Sequence, residues 1–158
     1  TDNGLEIKKK TDGTPVLKKR ICGNRFEGTN IYKRGEYYYL FASIGTCCNG
    51  ATSTYQTVVG RSKNVLGPYL DKTGRDMLYD YCEIIMSGNE TWAGPGHNSI
   101  LIQDDVGTDW IIYHGYKKKE AENGRYVLMD KLIWSNDGWP SVKSNAPSIL
   151  EVAPYFQK

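Results

Sequence analysis

The amino-acid sequence predicts an all-β protein, and three observations carry that prediction. Short segments rich in Thr, Val, Ile and aromatic residues are separated by turn signals such as Arg34-Gly35, Gly67-Pro68 and Asp137-Gly138. No segment shows the 3.6-residue apolar period of an amphipathic helix. The pattern of strands and turns also occurs twice along the 158 residues, a length that suits one domain or a piece of one.

The first unit begins with a predicted hairpin. Residues 30–33 and 36–43 flank the turn at Arg34-Gly35, and the second strand is apolar on both faces. One face carries Tyr37, Tyr39 and Phe41, and the other carries Tyr38, Leu40 and Ala42. Such a strand lies between two packed layers, so we expect this sheet to be covered on both sides. A third strand over 53–62 and a short fourth strand around Met77 complete the unit.

The second unit repeats this order. Residues 98–103 and 109–116 form a hairpin, 125–134 a longer third strand, and 139–142 a short fourth. The repeat spacing of about 70 residues exceeds the ~40 to 50 of common propeller blades, but the four-strand unit is the same. Because a propeller needs about four blades or more, the sequence predicts part of a larger propeller. A compact sandwich of the same strands is the alternative.

Composition and charge exclude several classes of protein. Hydrophobic residues make up 39% and charged residues 24%, which is typical of a folded chain and not of a disordered one. Apolar runs such as 110–113 are far shorter than the ~20 residues of a membrane-spanning helix. The net charge is +2 and the basic residues are scattered, so no nucleic-acid partner is predicted.

The start of the chain and its cysteines set two further expectations. Thr1 is preceded by no initiator Met and followed by no leader, so we expect a cut or engineered start. The four cysteines, Cys22, Cys47, Cys48 and Cys82, lack the paired spacing of a zinc site. One or two disulfides in an exported protein and buried free thiols both fit the sequence. For adjacent Cys47 and Cys48 we expect thiols that shape a loop, since neighbouring cysteines seldom pair.

Two polar residues occupy equivalent positions in the two units. In a propeller the first strand of each blade lines the central channel, and Glu27 and His97 lie just before or on that strand. Next to Phe26, Glu27 would be partly desolvated with a raised pKa, as a general acid requires; a solvated loop Glu is the alternative. His97 follows Gly94-Pro95-Gly96, where glycine permits close backbone approach. His97 as a structural histidine is the alternative, and we interpret His114 as packed or behind the site.

Residues 26–43 (FEGTNIYKRGEYYYLFAS) resemble the general-acid blade of glycoside hydrolase family 43. Five further stretches resemble its arabinanase branch: GTCCNG at 45–50, VGRSK at 59–63, GPY at 67–69, WAGPGHNS at 92–99 and WSNDGWP at 134–140. The match runs in order from about residue 26 to the end, which is more specific than any single motif.

The resemblance implies a five-bladed β-propeller that hydrolyses α-1,5-linked arabinan with inversion. Glu27 matches the family's general acid, and His97 matches a histidine that, with water, holds a metal ion, usually calcium, in the central channel. The family's general base and pKa-tuning aspartate precede the acid, where this chain has only Asp2 and Asp12. Asp12 lies in a predicted hairpin turn and is a poor base. We therefore expect both carboxylates outside this chain and the isolated 158 residues to be inactive.

The resemblance also divides the chain. It implies outer strands of a preceding blade at 1–25, the general-acid blade at 26–96 and the last blade at 97–158. Cys47, Arg61 and Trp92 are candidate substrate-binding residues, with a loop thiol, a surface arginine and a packing tryptophan as the respective alternatives. The expected partners are pectic arabinan and the remaining blades, in a secreted or periplasmic enzyme. The alternatives are a family 43 xylosidase or arabinofuranosidase, and a non-catalytic carbohydrate-binding fragment.

Overall fold

The computed structural model describes residues 10–13 and 20–157, and its regular elements are almost all strands. The strands of the first half are β1 (Glu27–Arg34), β2 (Tyr37–Ile44), β3 (Gln56–Ser62) and β4 (Glu83–Met86). Those of the second half are β5 (Trp92–Gly96), β6 (Ile102–Gln103), β7 (Asp109–Lys117), β8 (Arg125–Lys131), β9 (Ile133–Trp134) and β10 (Pro140–Ser141). Short 3₁₀ turns occur at Gly50–Thr52, Met77–Tyr79, Lys118–Asn123 and Lys143–Asn145. The all-β prediction is confirmed, and no helix in the described ranges is long and apolar enough to cross a membrane.

The first sheet has the order β1-β2-β3-β4, with every neighbouring pair antiparallel. The predicted hairpin is confirmed, because Arg34 pairs with Tyr37 across the turn. The predicted fourth strand around Met77 is wrong, since Met77 begins a 3₁₀ turn and the fourth strand is β4. Met77 is fully buried beneath the sheet and donates its N–H to the carbonyl of Tyr69, so its backbone bonds to a loop instead of a strand.

The second sheet is built around β7. β5 and β6 both pair with one edge of β7, so they form one first strand that is interrupted after Gly96, while β8 pairs with the other edge. The predicted hairpin is present, but its first strand begins at Trp92 and not at residue 98. The predicted strand over 125–134 is broken at Leu132, beyond which β9 pairs with β10. The division into blades at residue 97 stays a prediction, and the pairing of β5 places 92–96 with the second sheet.

The core consists of two apolar clusters on opposite faces of the first sheet. Tyr39 and Phe41 of β2 belong to a cluster that contains Ile111 and Tyr113 of the second sheet. Residues on the other face of β2, with Leu40 among them, pack in a second cluster that includes Tyr69 and Met77. The expectation that this strand is covered on both faces is confirmed.

Polar contacts from side chains of β1 also join the first sheet to the second half of the chain. The Tyr32 hydroxyl donates to Asp109 at 2.7 Å, and the Asn30 amide donates to the carbonyl of Asn98 at 3.1 Å. Large apolar side chains remain exposed on β8 of the second sheet and in the C-terminal segment, with Val127 at 79% and Leu150 at 91%. Such a surface fits the expectation that this flank packs against further polypeptide.

Candidate active site

Glu27 is the first residue of β1 and lies opposite Ser43 of β2. Phe26 before it is buried, whereas Glu27 itself is exposed. The described residues therefore leave the carboxylate open to solvent and to a ligand, and do not desolvate it as the sequence predicted. A bulge between Glu27 and Asn30 includes Gly28 at φ 57°, a left-handed conformation that favours glycine.

His97 follows β5 and lies beside this bulge. Its backbone N–H donates to the Oγ of Ser43 at 2.7 Å, on the residue that pairs with Glu27. A Cβ placed on Gly28 would lie 3.0 Å from Cγ of His97, so the glycine is where the two sheets touch. The structure thus brings Glu27 and His97 together although they are far apart in sequence. Their catalytic and metal-binding roles stay predictions.

The glycines before His97 allow a close approach, as the sequence indicated. A Cβ on Gly94 would overlap the hydroxyl of Ser53, and one on Gly96 would overlap the ring of Tyr55. The Thr57 hydroxyl also donates to the carbonyl of Pro95 at 3.2 Å. The segment that presents His97 is therefore packed directly onto the first sheet.

Three more side chains complete the cluster, and sequence reasoning missed two of them, Tyr55 and Arg125. The ring of Tyr55 stacks on His114 with centroids 6.0 Å apart, and His114 lies 5.9 Å from His97. Nη1 of Arg125 lies 3.3 Å from Nε2 of His114. His114 thus lies behind the site, as interpreted from the sequence. The sequence feature that could have identified Arg125 is its position as the first residue of the strand that follows the one carrying His114.

The electrostatics of the cluster follow from burial and from these neighbours. Burial raises the pKa of Tyr55 to about 12, and the negative charge of Glu27 adds to the rise. Burial lowers the pKa of His114, and so do the positive charge of Arg125 and the neighbouring imidazole of His97. A neutral imidazole can accept a hydrogen bond from Arg125 through Nε2.

The adjacent cysteines Cys47 and Cys48 form a disulfide, so the expectation of loop thiols is wrong for this pair. The Ser53 hydroxyl donates to the carbonyl of Thr46 at 2.5 Å and contacts that of Cys47 at 3.3 Å. These bonds fold the loop tightly at the two sulfurs. Cys22 and Cys82 are free thiols, and burial raises the pKa of each.

Arg61 and Trp92 lie away from this cluster. Arg61 pairs with Tyr39, four positions along β2 from Ser43 and therefore roughly 13 Å from it. Its guanidinium donates to the carbonyl of Asp137 at 2.6 Å and stacks on the Trp139 ring at 4.4 Å.

Trp92 is at the far end of β5 from His97. Its ring packs against Tyr126 in an edge-to-face arrangement, with centroids 5.9 Å apart. Its neighbour along the ladder is Lys117, whereas Gly96 at the other end of β5 pairs with His114. Packing accounts for the positions of both Arg61 and Trp92, and their substrate-binding roles stay predictions.

The predicted calcium ion can be tested against the donor atoms present. Across residues 10–13 and 20–157, no group of three or more His, Cys, Asp or Glu side chains could hold a metal ion. Calcium prefers oxygen ligands, and His97 offers a single imidazole. The described residues therefore fit only a cation whose other ligands are mostly water.

The chain is similar to a known protein family and to individual members of it. Residues 4–140 match the family model of Glycosyl hydrolases family 43. The chain is 45% identical over 118 residues to the extracellular exo-α-(1→5)-L-arabinofuranosidase ArbA of Cellvibrio japonicus, covering 75% of this chain and 33% of that protein. It is 41% identical over 120 residues to the extracellular endo-α-(1→5)-L-arabinanase 1 of Bacillus subtilis, covering 75% and 35%.

Solved structures give the same result. An α-L-arabinanase of Cellvibrio cellulosa in complex with arabinohexaose superposes with a TM-score of 0.71 and 44% identity, covering 76% of this chain and 37% of that one. An exo-1,5-α-L-arabinanase from a bovine ruminal metagenomic library superposes with a TM-score of 0.74 and 34% identity, covering 87% and 48%. The chain spans about a third of the length of the curated relatives it matches. The predicted resemblance is confirmed, and the chain belongs to glycoside hydrolase family 43.

Proposed function

We propose that this chain is part of a glycoside hydrolase that cleaves α-1,5-linked arabinan with inversion, and that Glu27 is its general acid. The observation that carries the proposal is the junction of the two sheets, where Gly28 and Ser43 hold the backbone of His97 beside Glu27. The names of relatives that match three quarters of the chain, exo- and endo-acting on α-(1→5)-linked arabinose polymers, support arabinan as the substrate.

The chemistry assigned to Glu27 is proton donation to the departing sugar oxygen. The exposed carboxyl can approach a glycosidic oxygen directly, since nothing among the described residues covers it. The Tyr55 hydroxyl is buried, and burial together with the negative charge of Glu27 raises its pKa. Arg125 supplies guanidinium donors that are suited to sugar hydroxyls.

Inversion requires a second carboxylate about 6.5 to 9.5 Å from the acid, with a water held between it and the sugar. Of the two aspartates that precede Glu27, Asp12 lies in an exposed turn, where Gly13 donates its N–H to the carbonyl of Lys10. Asp2 and both strands expected to flank that turn lie outside the described residues. We assign the general base and the tuning aspartate to the remaining length of the whole protein.

The same proposal covers the surroundings of the site. The two sheets are blades of a five-bladed propeller, whose other blades cover the apolar flank at Val127 and Leu150. A largely hydrated calcium ion contacts His97 and supplies positive charge near the acid. Secretion is supported by the extracellular location in the names of two relatives.

Product analysis of the whole protein tests the substrate and separates the alternatives. We expect arabino-oligosaccharides or arabinose from linear α-1,5-arabinan and no products from xylan. Products from xylan in place of arabinan would favour the xylosidase alternative. Binding of arabinohexaose without release of reducing ends would favour a non-catalytic carbohydrate-binding role and contradict the proposal.

A further inference from the structure

The Cys47–Cys48 disulfide is linked to the candidate active site by direct contacts. Sγ of Cys48 lies 4.0 Å from Nη1 of Arg125, and the same nitrogen lies 3.3 Å from Nε2 of His114. His114 in turn lies 5.9 Å from His97, ring to ring. The disulfide, which lies in the loop between β2 and β3, is therefore linked to the site through the side chain of Arg125 in the second sheet.

The loop that carries the disulfide is fixed at both ends. Ser53 holds the carbonyls of Thr46 and Cys47, and the amide of Asn49 donates to the Thr52 hydroxyl at 2.7 Å. Its middle, at Gly50, faces Ala121 in the 3₁₀ turn that precedes Arg125, and a Cβ on Gly50 would lie 3.7 Å from that of Ala121. The loop is thus seated where the chain leads into Arg125.

Arg125 is exposed, and its guanidinium forms no ion pair with a carboxylate in the part of the chain that the structure describes. Contacts to His114 and to Cys48 hold it. A long side chain loses conformational freedom when it binds a ligand, and a guanidinium that is already held loses less.

We propose that the Cys47–Cys48 disulfide is a positioning group that holds Arg125 ready to bind the sugar beside Glu27. The inference rests on the proposed function and deepens it, since it makes sugar affinity depend on an oxidised cysteine pair that acts through Arg125. A dithiol reductant would transfer two electrons and two protons to the pair, giving two thiols and its own cyclic disulfide. The loop and Arg125 would then be freed from one another.

Alkylation of the denatured chain counts the free thiols. The sequence contains four cysteines, so two should react before reduction with dithiothreitol and four after it. Reaction of all four before reduction in freshly prepared protein would overturn the proposal.

Side-chain NMR of Arg125 tests the positioning without any substrate. The Nε–Hε signal should report an ordered guanidinium in the unaltered chain and a mobile one in the double variant Cys47→Ser/Cys48→Ser. The matched control is Cys22→Ser/Cys82→Ser, which removes the two free thiols and should leave Arg125 ordered. An Arg125 that stays ordered without the disulfide would overturn the proposal.

Calorimetric titration with arabinohexaose then tests the effect on affinity. Cys47→Ser/Cys48→Ser should weaken binding about three- to tenfold, as expected for releasing one side chain that was held in place. In an Arg125→Ala background the same double substitution should cause no further loss, because the disulfide acts through Arg125. Equal losses in both backgrounds would overturn the proposal. Absence of binding to the unaltered whole protein would instead count against the proposed function, and the NMR result would still decide the inference.

Discussion

The backbone N–H of His97 donates a hydrogen bond to the Oγ of Ser43 at 2.7 Å, and this bond joins the two sheets beside Glu27. Ser43 is fully buried, so this hydrogen bond lies inside the protein, shielded from solvent. The relationship explains how residues from separate repeats share one site. Substitutions at this junction should therefore disturb the site more than the same substitutions on an exposed surface would.

Glu27→Gln should reduce the turnover of linear arabinan by the whole protein about 10²- to 10⁴-fold, because the amide cannot donate the required proton. Release of reducing ends measures the effect, and an unchanged unfolding transition should show that the fold is intact. Glu36→Gln is the matched control, since Glu36 is an exposed glutamate paired with Lys63 at the opposite end of the hairpin. Normal turnover by Glu27→Gln would remove Glu27 as the acid.

Gly28→Ala should destabilise the chain more than Gly35→Ala does. Both glycines have φ 57°, but a Cβ on Gly28 would lie 3.0 Å from His97, whereas no residue that the structure describes lies within 4 Å of one on Gly35. We expect Gly35→Ala to cost about 1 kcal/mol from backbone strain and Gly28→Ala about 2 to 3 kcal/mol. Urea unfolding measures both free energies. Equal costs would show that the contact with His97 carries no energy.

Asp109 should contribute more to stability than any one of its partners. It accepts hydrogen bonds from Tyr32 at 2.7 Å and from Trp134 at 2.8 Å, and Arg34 lies 3.5 Å away. Tyr32→Phe should lower the free energy of unfolding by about 1 kcal/mol and Asp109→Ala by about 3 kcal/mol, since the latter leaves the partly buried donors of both Tyr32 and Trp134 unpaired. Similar losses from the two variants in chemical unfolding would contradict this ranking.

Asp104 should make stability depend on pH in the acidic range. Burial alone would raise its pKa, but hydrogen bonds from the Trp110 indole and from backbone N–H groups outweigh burial and lower it. A carboxyl with a lower pKa in the folded state stabilises the fold above the unfolded pKa of about 3.9, and this stability is lost as pH falls through the folded pKa.

Urea unfolding of the unaltered chain and of Asp104→Asn, measured between neutral pH and pH 2, checks this dependence. The difference in unfolding free energy between the two should be largest above about pH 4 and should shrink on acidification. Asp105→Asn, at the neighbouring exposed aspartate, serves as the control. A difference that is constant over the whole range would show that Asp104 does not contribute through its charge.

Much of the first sheet could be predicted because its signals are local. The alternation along β2 assigned Tyr39 to one face and Leu40 to the other, and the two apolar clusters follow that assignment. The fourth strand could not be placed, because the segment around Met77 has the apolar residues of a strand but its backbone forms hydrogen bonds with a loop. Hydrogen-bond partners in a loop leave no periodic trace in the sequence.

The candidate site was predictable in part. Glu27 and His97 could be singled out because the sequence pattern predicted equivalent positions for them, although in the structure Glu27 begins β1 and His97 follows β5. Tyr55 and Arg125 could not, since neither lies in a distinctive local pattern and both contact His114 from segments distant in the sequence. Cys47 and Cys48 were expected to remain thiols because neighbouring cysteines seldom pair, and the tight loop that Ser53 closes could not be predicted from their adjacency.

The sequence by itself determined the β class and the family, because strand alternation, turn residues and motifs depend on near neighbours along the chain. Only the tertiary structure decided which side chains surround Glu27. Those contacts join segments that are tens of residues apart, and they form through packing between sheets, which depends on the shape of both surfaces at once.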